Sequence, residues 1–266
     1  MFQDVTSPPP TNILRLVINL DRSPERLESI SKQLSAQGLS FQRIPAVDGR
    51  KLSPEQLSRL EAPYNAPEKF VFRKALWPTE IACFLSHAAC WEKLVNSNCD
   101  WALIMEDDIV LSPRFKLFAA SSKWIPQGVR IIQLHGSRQT FTVGESYPAH
   151  DTELLRIIRP TPLGSLAYLI HREAAAYALA TYMPIPAPVD DWLFRQCSDF
   201  ARRFPPHRLF TSCVATLDVP STIGDRNVRR KLPESIKVRL LRGFKSGSYR
   251  LSTMFRKKRT LTLTQD

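Results

Sequence analysis

No stretch of this chain is apolar for long enough to cross a membrane as a helix, which takes about 20 consecutive apolar residues. Leu, Ile and Val come in short runs instead. The opening MFQDVTSPPP lacks a basic head followed by an apolar stretch, so no secretory signal is expected. The five cysteines, Cys83, Cys90, Cys99, Cys197 and Cys213, are odd in number and include no CxxC pair. That speaks against a disulfide framework or a zinc site and for a reducing cytosol. No internal repeat is visible. Excess charge is also missing from most of the chain, although the net charge is +12. Residues 226–266 hold 13 Lys and Arg against Glu234 and Asp266, leaving 24 basic and 23 acidic residues in the other 225. The basic character belongs to a tail. A nucleic-acid-binding body, with no recognition motif to support it, ranks low.

What is present is an ordinary globular composition, 43% hydrophobic and 23% charged over 266 residues. That suits one large domain, or a domain with an appendage. The stretch on which the rest turns is Trp101-Ala-Leu-Ile-Met-Glu-Asp-Asp-Ile-Val-Leu111. Trp101 to Met105 read as a buried strand, and Glu106, Asp107 and Asp108 follow without a break. Carboxylates cannot stay unpaired in a core, because desolvating a charge is expensive. They meet solvent, cap the next helix, or hold a cation. In open α/β sheets the carboxyl edge is where ligands bind. A divalent ion holding a phosphorylated substrate takes one or two such acids.

The chain before and after alternates strands with helices. Ile13–Leu20 is a first strand, Ser23-Pro24 opens a helix that Gly38 ends, and Phe41–Val47 is a second strand, a βαβ unit. A short helix runs from Ser53-Pro54 to Leu60. Thr79 is expected to cap a longer helix carrying Ile81, Phe84, Leu85, Ala88, Trp91 and Val95 at helical spacing, with Ser86 and His87 on it. His87 reads as structural or solvated. Val129–Leu134 is a strand, 137–152 a long loop, Leu154–Ile158 a strand, Leu163–Ile170 a strand behind a tight Gly164, and Arg172–Tyr182 a helix. After Pro184, Pro186 and Pro188, Asp190 and Asp191 open a helix reaching about Arg203. Acids there suit the helix dipole.

Several of these segments, in one order, resemble glycosyltransferase family 25. They are Val17-Ile-Asn-Leu-Asp-Arg22 with Arg26, Ala46-Val-Asp-Gly49, Thr79-Glu-Ile-Ala-Cys-Phe-Leu-Ser-His87 with Trp91, and Ala102–Asp108. Gly164-Ser-Leu-Ala-Tyr168, Ala174–Ala176, Pro188-Val-Asp190 and Ser221-Thr-Ile223 continue the series. Ala82 stands where many members have Gly, a packing change. The resemblance spans roughly 13–224, so residues 1–224 are expected to be the catalytic domain and 225–266 a basic tail.

The resemblance implies an α/β fold of the GT-A type with a mostly parallel central sheet, a UDP-sugar donor (often UDP-galactose) and inversion at the anomeric carbon. It further implies a lipopolysaccharide or lipooligosaccharide acceptor. The metal ligands it implies are among Glu106, Asp107 and Asp108, with Mn²⁺ or Mg²⁺ as the ion. Asp190 or Asp191 is the expected base. Asn19, Arg22 and Arg26, at the same sheet edge, are expected to contact uracil, ribose or phosphate; a solvated helix face is the other reading of the two arginines. A catalytically inactive nucleotide-sugar-binding protein is the alternative to an enzyme. Ile236, Leu240 and Phe244 recur every four residues among bases, so the tail reads as an amphipathic element on an anionic membrane surface. The expected location is cytoplasmic, peripheral on the inner face of the inner membrane.

Overall fold

The computed structural model describes residues 13–63, 75–136, 140–160 and 164–217, with the backbone of 259–262 and 264–265. Strand β1 (Ile13–Asn19) feeds helix α1 (Pro24–Ala36), which returns the chain to β2 (Gln42–Pro45), parallel to β1. Helices α2 (Pro54–Leu60) and α3 (Pro78–Val95) precede β3 (Trp101–Glu106), which lies parallel on the other side of β1. Then come β4 (Ile109–Leu111), α4 (Phe115–Ala119), β5 (Ile131–Gln133), β6 (Thr140–Ala149), β7 (Thr152–Arg159) and β8 (Ala167–His171). The remaining elements are α5 (Arg172–Thr181), α6 (Val189–Phe194), α7 (Asp199–Arg203), β9 (His207–Leu209), β10 (Thr211–Ser212), β11 (Val214–Thr216), β12 (Arg259–Thr262) and β13 (Thr264–Gln265).

Nine strands form one sheet in the order β12-β6-β7-β9-β5-β8-β3-β1-β2. Following the pairings, β2, β1, β3, β5, β9 and β6 run one way and β8, β7 and β12 the other. The α/β class and the predominance of one strand direction match expectation. Helices cover both faces, which is why β1 and β3 are apolar at successive residues. Leu16, Ala102, Ile104 and Tyr168 pack with Phe84, Trp91, Trp192 and Phe194 under α3, α5 and α6. Val17, Leu103, Met105 and Leu169 pack with Ile30, Leu34, Phe115 and Phe118 under α1 and α4.

Four local expectations are corrected. Helix α3 starts at Pro78, not after a Thr79 cap: Pro has no N–H to lose at a first position, and Glu80 reaches back to accept from Trp77 N at 2.9 Å. Ser23 flanks α1 without a side-chain capping bond; its carbonyl accepts from Asn19 Nδ2 instead, at 2.9 Å. The expected loop 137–152 holds β6, which pairs with β7 through a turn at His150-Asp151. Phe141 and Val143 alternate inward against Leu155 and Ile157, a period that Gly144 and Pro148 dilute in the sequence. The helix expected from Asp190 to Arg203 is two, because Ser198 caps α7 afresh by accepting from Ala201 N at 3.0 Å. The amphipathic segment around Ile236 to Phe244 and the Ser221–Ile223 motif lie outside the described residues. Part of the tail, β12, extends the sheet beside β6. No helix among the described residues is long and apolar enough to cross a membrane.

Candidate active site

The three acids come where β3 leaves the sheet, and the alternation of strand side chains sorts them. Ala102 and Ile104 face the α3 core, Leu103 and Met105 the α1 core. Glu106 continues the first row. Its Oε1 accepts from Ser165 Oγ at 2.6 Å and lies 3.7 Å from Nε2 of His87 on α3. Asp107 continues the second row: Oδ2 accepts from Asn19 Nδ2 at 2.6 Å, and Oδ1 is 3.5 Å from Arg26 Nη1. Asp108 Oδ2 is 3.7 Å from the same Arg26 nitrogen. Asp108 Oδ1 is buried and has no hydrogen-bond partner among the described residues.

Around these acids is a cleft of about 660 Å³, counted out to its open mouth. Arg22, Arg26 and Asp48 line one side, Cys83, Ser86 and His87 of α3 the other. Gly49 lets the walls meet, since a Cβ there would stand 2.6 Å from the Pro78 carbonyl oxygen. Ser86 Oγ ties them by accepting from Val47 N at 2.9 Å. Arg22 pairs with Asp48 at the rim. Asn19, expected as a nucleotide contact, is 1% exposed and fully engaged: its Oδ1 accepts from Arg43 Nε at 3.0 Å. It braces Asp107 from below.

The two expected bases separate. Asp190 is half-buried; its Oδ2 accepts from Gly164 N at 3.1 Å and its Oδ1 from Asp191 N at 2.9 Å. Its charge is among those that raise the Cys83 thiol. Gly164 has φ +103°, and a Cβ there would come 2.9 Å from His135 Nε2. Asp191 is buried and turned to Arg195, whose Nε donates to its Oδ1 at 2.9 Å.

The electrostatics follow the geometry. Burial, then the neighbouring charges of Glu106 and Asp107, push the Asp108 carboxyl up to about 6, with Arg26 only partly offsetting them. Burial also raises Asp107, against the pull of Asn19 and Arg26. Glu106 goes the other way: burial raises it, but His87, Ser165 and His135 together outweigh burial and hold it below the usual range. Burial, with Glu106, Asp190 and Asp108 nearby, pushes the Cys83 thiol well up. Three carboxylates crowd one end of a strand, and one carboxylate oxygen is left without a donor. That is a deficit of positive charge, and it fits a divalent cation on Asp108 with Asp107 beside it. The all-oxygen donor set suits Mg²⁺ or Mn²⁺. Glu106 is held by Ser165 and faces the opposite wall.

Sequence reasoning left His87, Tyr168, Ser165 and Cys83 without roles. His87 is fully buried, with Nδ1 2.9 Å from Tyr168 Oη, which also accepts from Trp91 Nε1 at 3.0 Å. Their signal was present: His87 follows Cys83 by one helical turn, and Ser165 and Tyr168 lie on one short motif after Gly164.

Comparison with known proteins bears on this geometry. The family model described as glycosyltransferase family 25 (LPS biosynthesis protein) matches residues 12–193. The chain belongs to that family. A glycosyltransferase 25 family member from Aedes aegypti is 39% identical over 101 residues, which are 38% of this chain and 17% of that protein. The lipooligosaccharide biosynthesis protein lex-1 of Haemophilus influenzae is 23% identical over 218 residues, covering 70% of this chain and 71% of it. The chain thus spans about a sixth of the mosquito relative and most of the bacterial one. Among solved structures, a glycosyltransferase involved in glycosylation of the major capsid of PBCV-1 aligns with TM-score 0.40 and 11% identity, over 78% of this chain and 94% of that one.

Proposed function

We propose that this protein is an inverting, metal-dependent glycosyltransferase of the GT-A type. It moves a hexose, galactose, from a UDP-sugar to a lipopolysaccharide or lipooligosaccharide core acceptor. The observation that carries the reading is the Asp108 oxygen that has no hydrogen-bond partner among the described residues, in the acid cluster at the carboxyl end of β3 and inside the family-matched residues. The bacterial relative of comparable length is named for lipooligosaccharide biosynthesis, which supports the acceptor class.

In this reading Asp108, with Asp107, holds Mn²⁺ or Mg²⁺. Such an ion, when bound, neutralises the diphosphate leaving group. Asn19 keeps Asp107 in place. Arg22 and Arg26 line the cleft where uracil, ribose or phosphate would lie. Asp190, oriented by the Gly164 and Asp191 amides, takes the proton from the acceptor hydroxyl as its oxygen bonds to the anomeric carbon and the bond to phosphate breaks. Asp191, committed to Arg195, holds the helix end rather than the proton. Residues 1–224 form the catalytic unit. The basic tail of 225–266 holds the enzyme at an anionic membrane on the cytoplasmic side, where each base contributes about 1 kcal/mol.

The test is a donor screen: the full chain with each UDP-sugar, scored by UDP release with and without EDTA. UDP-galactose should stand out and EDTA should abolish the signal. A second reading, a nucleotide-sugar-binding protein without activity, is favoured by Arg26, which already sits between Asp107 and Asp108. Binding of UDP-galactose without any hydrolysis or transfer would decide for it.

A further inference from the structure

Although cysteine spacing alone spoke against a zinc site, we infer that the α3 wall of the cleft is a second metal site, for a thiophilic divalent cation of the zinc class, formed by Cys83 Sγ, His87 Nε2 and a Glu106 carboxylate oxygen. One ligand atom from each of these three residues lies within 4.8 Å of the others. Cys83 and His87 are four apart on α3, so both face the strand end from successive turns. Glu106 meets them because strand alternation turns it, and not Asp107, toward that helix.

The second observation is His87 itself. Its ring is 0% exposed, and Nε2 has no hydrogen-bond partner among the described residues. Leaving a buried nitrogen unmatched is costly. The other nitrogen is fixed, because Nδ1 stands 2.9 Å from Tyr168 Oη. That hydroxyl oxygen has two lone pairs, so it can accept both Trp91 Nε1–H and His87 Nδ1–H. Metal binding takes the proton on Nδ1, which frees the Nε2 lone pair for a cation between it and Glu106. A neutral imidazole held by an outer hydrogen bond on its far nitrogen is how metal-binding histidines are oriented.

The spacing agrees. Nε2 and Glu106 Oε1 are 3.7 Å apart, too far for a hydrogen bond. Two N or O ligands at about 2.0–2.1 Å from one tetrahedral zinc ion stand about 3.3 Å from each other, and a thiolate about 3.6 Å from either. Small side-chain rotations close the set. Three protein ligands leave a fourth position facing the cleft. The donor set differs in softness from Asp107 and Asp108, whose oxygens suit Mg²⁺ or Mn²⁺, so the two ends of one cleft sort cations by chemistry.

The test reads the metal and not the transfer reaction, so it stands whether or not the proposed activity is found. The reduced full chain is titrated with Co²⁺ and then with Zn²⁺ against a chromophoric chelator. Expected are one tight equivalent of Zn²⁺ and, with Co²⁺, tetrahedral visible bands plus a near-ultraviolet thiolate-to-cobalt band. Cys83→Ser should abolish the thiolate band. Tyr168→Phe, which keeps every ligand, should weaken Zn²⁺ by about 10–100-fold, as loss of an outer-shell partner does. Asp108→Asn should retain the thiolate band. A thiolate band that survives Cys83→Ser overturns the assignment, as does tight binding lost in Asp108→Asn but not in Cys83→Ser. So does Zn²⁺ affinity unchanged by both Cys83→Ser and Tyr168→Phe.

Discussion

On the α1 side of the strand end, charge meets charge: Asp107 and Asp108 share Arg26, Asn19 braces one of them, and one oxygen is left over. On the α3 side, Glu106 accepts from Ser165 Oγ and faces His87 Nε2 at 3.7 Å, with Tyr168 and Trp91 behind that ring. The carboxyls respond oppositely. Asp108 rises to about 6, while Glu106 falls below the ordinary range although burial opposes that. Three adjacent acids therefore do two jobs. The first side is destabilised by its own charge and ready for a cation. On the second, Ser165 fixes Glu106 in position and the facing His87 Nε2 is unmatched among the described residues.

The largest effect should come from the unsatisfied side. Asp108→Asn is expected to cut transfer by about 10³-fold or more, since charge stabilisation of the leaving group is worth several kcal/mol. The same variant should be more stable than the wild type without metal. An acid whose folded value lies above its ordinary 3.8 destabilises the fold when ionised. That cost is absent below about pH 4, grows between about pH 4 and 6, and is complete above about pH 6. At neutral pH it is on the order of 2–3 kcal/mol. Thermal melts with EDTA should show the variant higher by several degrees at pH 7.5 and level at pH 4. An inactive variant that melts lower at pH 7.5 would mean that Asp108 holds structure instead.

Next in size is the contrast between two neighbouring acids on α6. Asp190→Asn should lower kcat by about 10²-fold or more with donor KM little changed. Asp191→Asn should leave kcat within a few-fold but cost about 1 kcal/mol of stability, through the loss of its Arg195 partner. Equal catalytic losses from both would return the base to an open question.

Smaller again are the two bracing hydrogen bonds, each 2.6 Å long, one on each side of the strand end. Asn19→Ala should cost about 1.5–3 kcal/mol by urea unfolding, because it strips a buried carboxylate and leaves Arg43 short of an acceptor. Ser165→Ala removes one of the groups that hold Glu106 down, so any limb of the pH–rate profile that reports Glu106 should move to higher pH. A profile that moves with Asn19→Ala and not with Ser165→Ala would reverse the roles of the two sides.

The smallest effect on chemistry should come from the tail. Deleting 226–266 is expected to leave transfer to a short soluble acceptor nearly unchanged and to reduce transfer to acceptor in anionic liposomes, with high salt acting like the deletion. Because β12 pairs with β6, the truncated protein should also show faster amide exchange along Thr140 to Val143. Unchanged liposome binding would remove the tail as the anchor.

The sequence by itself determined the alternation of strands and helices on either side of Trp101. Short apolar runs closed by Pro, Gly and Ser are local signals. It also determined that Glu106 to Asp108 end a buried strand, since five apolar residues before three acids leave no other place for the charge. The proline run before Asp190 marked a helix start for the same local reason. What only the tertiary structure decided is which neighbour each acid meets. A period of two says that Glu106 and Asp107 point apart, but which helix covers each face depends on how distant segments pack. So His87, at 81 residues from Tyr168, read as an ordinary helical histidine until β8 brought the hydroxyl beside it. Asp190 and Asp191 were equivalent on paper, and the turn of α6 toward Gly164 on one side and Arg195 on the other separated them. The strand β6 was missed because its alternation is broken by Gly144 and Pro148, and its pairing with β7 and β12 supplies hydrogen bonds that no local pattern encodes.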